Sequence, residues 1–187
     1  MQTTKLDLQI IKNDINSPVD ISTLSNVIFI EDSDDLRIVS QITLSGKYNR
    51  VYNVVSNYIS LDLDRVCLDN DTLIIALFDE LAIIDLKQDK LARVVKLKDC
   101  WGIFNICKFK SGYFIHCEGV CYFLDNNFNI LWESSSIDIF VNSKVENDFE
   151  LHEDYIVVYD WYGHKYYYNE NGVCKCEHYP QLNCSKD

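Results

Sequence analysis

Two thiols and an imidazole that could bind a metal lie close together where Cys174, Cys176 and His178 alternate with Lys175 and Glu177. If this segment is a β-strand, the three potential ligands share one face. Alternate side chains on a strand are roughly 7 Å apart, whereas structural zinc sites use ligands separated by two to four residues on a turn. The sequence therefore predicts no metal and no cofactor, and we interpret the cysteines as buried apolar side chains beside an edge histidine.

Histidine is the side chain that most often acts as a general base near neutral pH. The four histidines, His116, His152, His164 and His178, are scattered along the chain, and we expect His164 to be the most exposed. No Gly-x-Ser-x-Gly, His-Glu-x-x-His or phosphate-binding loop motif occurs. The sequence identifies no catalytic residue and favours a protein that is not an enzyme, with a hydrolase of unrecognised site as an alternative.

The charge balance is strongly acidic, with 29 acidic and 17 basic side chains and a formal net charge of −12. Nucleic-acid binding requires a basic patch, and an anionic membrane surface attracts basic segments. The sequence therefore excludes both of these partners. An acidic surface speeds encounter with a basic protein, so we expect a basic protein partner.

The segment 1–16 contains no basic stretch followed by a continuous apolar one, so it does not read as a secretory signal. No apolar run is long enough to cross a bilayer. We therefore predict a cytoplasmic protein whose eight cysteines are reduced thiols.

The elements that must position these side chains are short strands, and their pattern repeats. In one copy, apolar and aromatic runs at 103–109, 113–117, 120–124 and 128–132 are separated by Gly, Asn, Asp and Ser turns. The second strands of three copies begin at Leu73, Tyr113 and Tyr155, at spacings of 40 and 42 residues. Four strands in about 40 to 45 residues is the period of a propeller blade.

The first part of the chain reads as a longer and less regular copy of the same unit, with strands at 5–11, 26–30, 36–44 and 50–55. We therefore predict one domain, 1–187. Its four units lie at roughly 5–57, 58–98, 101–135 and 146–179.

The repeat resembles a β-propeller blade of the broad WD40, quinoprotein and Kelch type. The Trp-Asp dipeptide of many WD40 blades is missing, because Trp132 is followed by Glu133, and the Gly-Gly doublet of Kelch is absent. The resemblance implies an all-β fold of four propeller-like, four-stranded antiparallel sheets. These form either a small closed propeller in a monomer or a half propeller that pairs in a homodimer. A β-sandwich with evenly spaced strands is the alternative.

The turns between second and third strands all begin with a carboxylate, and equivalent turns of a ring lie on one face. Trp101 lies in a connection between units that emerges on the same side. The candidate protein-binding face consists of Asp32, Asp34, Asp35, Asp79, Glu80, Trp101, Glu118, Asp160, Trp161, Tyr162 and His164.

Trp and Tyr dominate binding hot spots, and carboxylates attract basic partners. The sequence therefore favours a non-enzymatic, intracellular protein-binding module, and one specific version is an immunity-type inhibitor of a basic toxin. A lectin-like propeller that binds a carbohydrate or small ligand through Trp101, Trp161 and Tyr162 is the alternative.

Overall fold

The computed structural model describes residues 4–13, 20–29, 38–56, 61–136, 138–141, 148–172 and 175–176. They form four four-stranded sheets and two short 3₁₀ helices, Ile21–Thr23 and Leu63–Arg65. The predicted all-β class with four propeller-like sheets is confirmed.

The strands follow the chain from sheet to sheet. Sheet 1 contains β1 (Lys5–Asn13), β2 (Val27–Phe29), β3 (Ile38–Ser45) and β4 (Arg50–Ser56). Sheet 2 contains β5 (Val66–Asp69), β6 (Thr72–Ala76), β7 (Glu80–Asp85) and β8 (Lys90–Lys96). Sheet 3 contains β9 (Ile103–Phe109), β10 (Gly112–Cys117), β11 (Val120–Asp125) and β12 (Ile130–Ser135). Sheet 4 contains β13 (Phe149–Leu151), β14 (Ile156–Tyr159), β15 (Lys165–Tyr168) and β16 (Lys175–Cys176).

The two central strands of sheet 2, β6 and β7, are buried on both faces, which explains their almost continuous apolar sequences. In β6, Leu73 and Ile75 pack in the core shared with sheet 1, whereas Ile74 and Ala76 pack in the core shared with sheet 3. Successive side chains of a strand point to opposite faces, so an apolar residue is needed at every position of a sheet that lies between two others.

Three hydrophobic cores join neighbouring sheets, between sheets 1 and 2, 2 and 3, and 3 and 4. The last is largely aromatic, and Phe114, Phe123 and Tyr168 are almost fully buried in it. Within the described residues no core joins sheet 4 to sheet 1. The described sheets therefore form a row with two end sheets, as in half of a propeller.

The face of sheet 1 that points away from sheet 2 carries hydrogen-bonded amides. Gln9 Nε2 donates to Gln41 Oε1 at 3.1 Å, and Gln41 Nε2 donates to Asn53 Oδ1 at 3.1 Å. Asn53 Nδ2 then donates to the carbonyl of Ser25 at 2.7 Å. This end face is therefore polar at its centre. A polar outer face lets a terminal repeat face water.

Sheet 1 departs from the predicted antiparallel meander, because its strand order is β1-β3-β4-β2 and β2 pairs parallel with β4. A parallel neighbour requires a long connection, and the chain between β2 and β4, residues 30–49, contains the whole of β3. The acidic segment 31–35 therefore does not join neighbouring strands, as the prediction required. Its candidate residues Asp32, Asp34 and Asp35 lie outside the described residues.

The 3₁₀ helix Leu63–Arg65 directly precedes β5, the first strand of sheet 2. The Asp62 side chain caps this helix by accepting a hydrogen bond from Arg65 N at 3.2 Å. The helix brings the charged side chains of Asp62, Asp64 and Arg65 to the first strands of sheets 2 and 3.

Each sheet has two chemically distinct ends. We call one the connection end, which carries the turns between second and third strands of sheets 2 to 4 and the segments that link successive sheets. We call the other the hairpin end, which carries the turns between first and second and between third and fourth strands of those sheets, together with the β3–β4 turn of sheet 1.

Candidate functional site

The turns of the connection end are joined to one another by backbone hydrogen bonds. At the boundary of sheets 2 and 3, Ile103 N donates to Phe78 O at 3.0 Å, and Glu118 N donates to Gly102 O at 3.1 Å. Turns far apart in the sequence are thereby held in fixed positions relative to one another.

The same ladder continues from sheet 3 to sheet 4. Phe140 N donates to Glu118 O at 2.5 Å, and Trp161 N donates to Ile139 O at 2.9 Å. The connection end of sheets 2 to 4 is therefore one continuous surface, and the described candidates lie along it.

Large aromatic side chains on this surface are exposed. The exposed fraction is 72% for Trp101, 68% for Tyr162, 46% for Trp161 and 43% for Phe78. Phe78 was not among the sequence candidates, although an aromatic residue directly before the Asp79-Glu80 turn was a signal that could have identified it. An exposed aromatic cluster is the feature that protein-interaction surfaces most often share.

Asp79 and Glu80 lie at the rim of the aromatic cluster, each with 32% of its side chain exposed. Lys96 Nζ lies 3.4 Å from Asp79 Oδ2 and 3.7 Å from Glu80 Oε1, so one lysine forms ion pairs with both carboxylates. Glu118 is half-buried in the next turn. Asp79 lies in the β6–β7 turn, Glu80 begins β7, and Glu118 lies in the β10–β11 turn.

Asp160 requires a correction, because its side chain is fully buried and cannot present a charge to a partner. Its carboxylate accepts hydrogen bonds from Tyr162 N at 3.0 Å, His164 N at 2.9 Å and the Tyr166 hydroxyl at 3.1 Å. These bonds fix the turn that displays Trp161 and Tyr162. Asp160 is thus a positioning residue for the aromatic cluster.

His164 is also less exposed than predicted, with 18% of its side chain accessible. Its Nδ1 lies 2.8 Å from Asp160 Oδ2. In a catalytic triad a carboxylate orients the imidazole that acts as the general base, and Asp160 and His164 resemble that pair. Because the same carboxylate also binds two backbone N–H groups, this pair organises the turn.

A cavity of about 280 Å³ opens near the first strand of sheet 3, beside the segments that link the sheets. It shares Asp64 and Asn105 with a larger groove of about 560 Å³ that runs along β9 and β13. We call these the inner cavity and the inner groove. The inner cavity is lined by Asp62, Asp64, Arg65, Phe104, Asn105, His116, Val141 and Asp148.

His116 is fully buried in the wall of the inner cavity. Its Nε2 lies 3.1 Å from the carbonyl oxygen of Phe140. Its ring stacks on the ring of Phe149 and makes an edge-to-face contact with Phe104. Burial lowers the pKa of His116 to about 4. An imidazole this weakly basic is a poor general base at neutral pH, but it is a hydrogen-bonding group of fixed position.

Two thiols are in contact, one of them next to His116 in the sequence, because Cys100 Sγ lies 2.7 Å from Cys117 Sγ. The hydrogen bond between the two thiols lowers the pKa of Cys100, and burial raises the pKa of Cys117. His116 precedes Cys117, but consecutive strand residues face opposite ways. Cys117 packs toward sheet 2 and His116 toward sheet 4, so these neighbours do not form a Cys–His pair.

The metal candidates of the sequence fall largely outside the described residues, which do not include Cys174 or His178 and give only the backbone of Cys176. In the part of the chain that the structure describes, no group of three or more His, Cys, Asp or Glu side chains could hold a metal ion. In that part, no helix is long and apolar enough to cross a membrane.

No family model and no curated protein matches the chain, but solved structures do. The WD40 domain of Neurospora crassa Pan2 is 11% identical, and the match covers 73% of this chain and 47% of that one with a TM-score of 0.50. BBS1N, solved in complex with ARL6DN, is also 11% identical, with 89% and 51% of the two chains covered and a TM-score of 0.50. The chain has a β-propeller fold.

BamB from Moraxella catarrhalis is similar as well, at 14% identity over 93% of this chain and 51% of that chain, with a TM-score of 0.49. This chain spans about half the length of the solved chains it matches. The 47% and 51% of the Pan2 and BBS1N chains that the matches cover fit the row of four sheets.

Proposed function

We propose that this chain is a non-enzymatic, intracellular protein-binding module whose connection end engages a basic partner. The observation that carries the proposal is the continuous surface on which Trp101, Trp161, Tyr162 and Phe78 are exposed. An aromatic side chain left in water loses the free energy that burial would give, and a partner that covers it recovers that free energy.

The rigidity of this surface supports the proposal. Backbone hydrogen bonds between turns, and the bonds that Asp160 accepts from Tyr162 N and His164 N, fix the backbone that carries the aromatic side chains before binding. A surface that is already ordered loses less conformational entropy on association.

The charge of the connection end supports a basic partner. Its described turns and links in sheets 2 to 4 carry Asp79, Glu80, Asp99, Glu118 and Asp138. Lys96 contacts the first two of these carboxylates and Lys98 contacts Asp99. Uncompensated negative charge raises the association rate of a positively charged protein. An immunity-type inhibitor that blocks a basic toxin is the narrower form of this proposal, and it rests on the acidity and the size of the chain.

The test uses peptides selected on the wild-type protein from a proteome-derived display library, with dissociation constants then measured by calorimetry. The combined variant Trp101→Ala, Trp161→Ala, Tyr162→Ala should bind at least a hundredfold more weakly, because buried aromatic anchors supply most of an interface's free energy. The matched control, Leu91→Ala with Leu131→Ala, removes exposed side chains from β8 and β12 and should change affinity less than threefold.

Unchanged affinity of the folded aromatic variant would refute the connection end as the binding surface. A predominance of acidic peptides among the binders would refute the basic partner. The carbohydrate alternative uses the same aromatic side chains, so a glycan array is run in parallel. Glycans that bind the wild type but not the aromatic variant, in the absence of any peptide binder, would replace the proposal with a lectin-like function.

A further inference from the structure

Two cysteine thiols that are distant in the sequence meet at the boundary between sheets 2 and 3. Cys100 lies in the link between β8 and β9, and Cys117 is the last residue of β10. Their Sγ atoms are 2.7 Å apart. A disulfide bond joins two sulfur atoms at about 2.05 Å, so these side chains need only a short movement to become covalently bonded.

The backbone around the pair holds the two thiols in these positions. Ile103 N donates to Phe78 O at 3.0 Å, and Cys100 Sγ lies 3.9 Å from the same carbonyl oxygen. Cys117 pairs with Ile103 in the ladder between β9 and β10. Gly102 adopts a φ of +124°, a conformation that favours glycine, and it turns the chain between Cys100 and β9. The link and the end of β10 are thus fixed side by side.

The two thiols differ in exposure and in acidity. Cys100 is 6% exposed, whereas Cys117 is fully buried, so an oxidant in solution reaches Cys100 first. The hydrogen bond between the thiols lowers the pKa of Cys100, and burial raises the pKa of Cys117. The thiolate is the nucleophilic form of cysteine, so Cys100 is the better nucleophile of the pair.

Cys67 and Cys107 provide a comparison within the same two sheets. Burial raises the pKa of Cys67 to about 11 and the pKa of Cys107 to about 12, so both thiols are protonated at neutral pH. Cys107 is half-buried and therefore more accessible than Cys100. Exposure alone would favour oxidation of Cys107, whereas a partner thiol in contact favours oxidation of Cys100.

We propose that Cys100 and Cys117 are a redox modification site, at which hydrogen peroxide converts the two thiols into a reversible disulfide. The disulfide ties the link that carries Trp101, which is 72% exposed, to the end of β10. Disulfides that form in a reducing compartment are usually transient and redox-sensing. The proposal goes beyond the proposed function and does not depend on it, because the covalent state of the pair is measured without a partner.

The reaction takes two steps. The Cys100 thiolate attacks one oxygen of hydrogen peroxide, the O–O bond breaks, and the hydroxide that leaves takes up the proton that Cys100 had released. Cys100 is then a sulfenic acid. The Cys117 sulfur attacks the Cys100 sulfur, the S–O bond breaks, and the hydroxide that leaves takes the Cys117 proton. Two electrons pass from the thiols to the peroxide, which becomes two water molecules.

The experiment treats the full reduced chain with hydrogen peroxide, blocks the remaining thiols with N-ethylmaleimide and maps disulfides by mass spectrometry. The denatured protein is digested with chymotrypsin and a glutamate-specific protease, because cleavage after Trp101 and after Glu118 separates the pair from the neighbouring cysteines in the sequence. The disulfide between Cys100 and Cys117 should be at least about tenfold more abundant than any other, the ratio that one pKa unit of thiolate formation supplies. Dithiothreitol should remove it.

Two alanine variants test which thiol reacts with the peroxide. In Cys117→Ala the oxidised Cys100 has no partner thiol, so dimedone should trap its sulfenic acid. In Cys100→Ala the fully buried Cys117 should be labelled at least about tenfold less. The matched control Cys107→Ala removes a more accessible thiol of the same sheet and should leave the amount of the disulfide unchanged.

Absence of the Cys100–Cys117 disulfide from the peroxide-treated wild type, a larger amount of another disulfide, or a product that dithiothreitol does not reverse would overturn the proposal. Equal dimedone labelling of the two alanine variants would overturn the role of Cys100 as the reacting thiol. The wild-type result stands even if a variant does not fold.

The effect of the disulfide on the Trp101 link is measured by amide hydrogen exchange. A cross-link restricts local opening, so exchange of residues 98–102 should be slower in the oxidised protein than in the reduced one. Unchanged exchange would refute the tie between this link and β10. The disulfide together with no peptide binding at the connection end would refute the proposed function and leave the redox site standing.

Discussion

The two ends of the sheets use the same residue types in different ways. At the hairpin end, carboxylates and aromatic hydroxyls bridge one sheet to the next. The Tyr113 hydroxyl of sheet 3 donates to Asp69 of sheet 2 at 2.8 Å, and the Tyr52 hydroxyl of sheet 1 donates to Asp89 of sheet 2 at 2.7 Å. At the connection end the sheets are joined by backbone groups, so the side chains are left for other contacts.

The difference is clearest for ion pairs. Asp71, at the hairpin end, binds Lys47 of sheet 1 and Lys87 of its own sheet, and these contacts hold its pKa well below the usual value. Asp79 and Glu80, at the connection end, share Lys96 of their own sheet and bridge to no other sheet in the described residues. Charged side chains at the hairpin end hold the sheets together, and those at the connection end face solvent.

The sharpest test of this comparison substitutes the glycines at the two ends of β10. A Cβ at Gly112, on the hairpin end, would lie 2.0 Å from the carbonyl oxygen of Leu124, so the backbone must move. A Cβ at Gly119, on the connection end, would meet no atom within 4 Å. We expect Gly112→Ala to lower the free energy of unfolding by about 3 kcal/mol or more and Gly119→Ala to change it by less than about 0.5 kcal/mol, measured by urea denaturation.

The second prediction concerns how the free energy of unfolding depends on pH. His116 has a pKa near 6.5 when unfolded and about 4 when folded, so the folded state resists protonation. Its contribution is complete above pH 6.5 and is lost as the pH falls toward 4, which removes up to about 3 kcal/mol of the free energy of unfolding. Urea denaturation between pH 7 and 4 should show this loss, and His116→Phe should remove it.

Asp71 at the hairpin end serves as the control for that pH dependence. Its pKa is lowered by the hydrogen bonds from Lys47 and Lys87, so its contribution is present above pH 3.8 and disappears at lower pH. Asp71→Asn should therefore leave the loss between pH 6.5 and 4 intact. A stability curve that is flat between pH 7 and 4 in the wild type would contradict the burial of His116.

A smaller effect is expected when one bond between sheets is deleted. Tyr113→Phe removes the hydroxyl that donates to Asp69 and should lower the free energy of unfolding by about 1.5 kcal/mol, the usual range for a hydrogen bond to a charged group. The matched change Tyr162→Phe at the connection end, where the side chain is 68% exposed, should be neutral. Thermal denaturation of both variants measures these two changes in stability. Equal losses of stability in the two variants would contradict the difference between the hairpin end and the connection end.

The smallest effect is expected for the rim carboxylates. Asp79→Asn with Glu80→Gln removes contacts to a lysine that is 70% exposed, so the free energy of unfolding should change by less than about 0.5 kcal/mol. The association rate with a basic peptide should still fall, most strongly at low ionic strength. Stopped-flow association measured at two salt concentrations distinguishes this outcome from a structural role, in which stability would fall and the salt dependence would not change.

The sequence predicted the strands of sheet 3 well because the signals that define them are local. The third-to-fourth turns that begin at Asp85 and Asp125 are closed by those side chains, since Asp85 accepts from Lys87 N and Asp125 from Asn127 N. Sheet 1 was predicted poorly in its strand order. The three-residue strand β2 has no local feature that tells the outer edge of a sheet from its centre.

The amino-acid sequence by itself determined the all-β class, the blade period and the exposure of Trp101 and Tyr162, because alternation and turn chemistry act over a few residues. Only the tertiary structure decided that Asp160 is buried and that His116 lies in a cavity with Asp62, Asp64 and Asp148. These residues are brought together by the packing of whole sheets, and burial and electrostatic environment depend on neighbours that are distant in the chain.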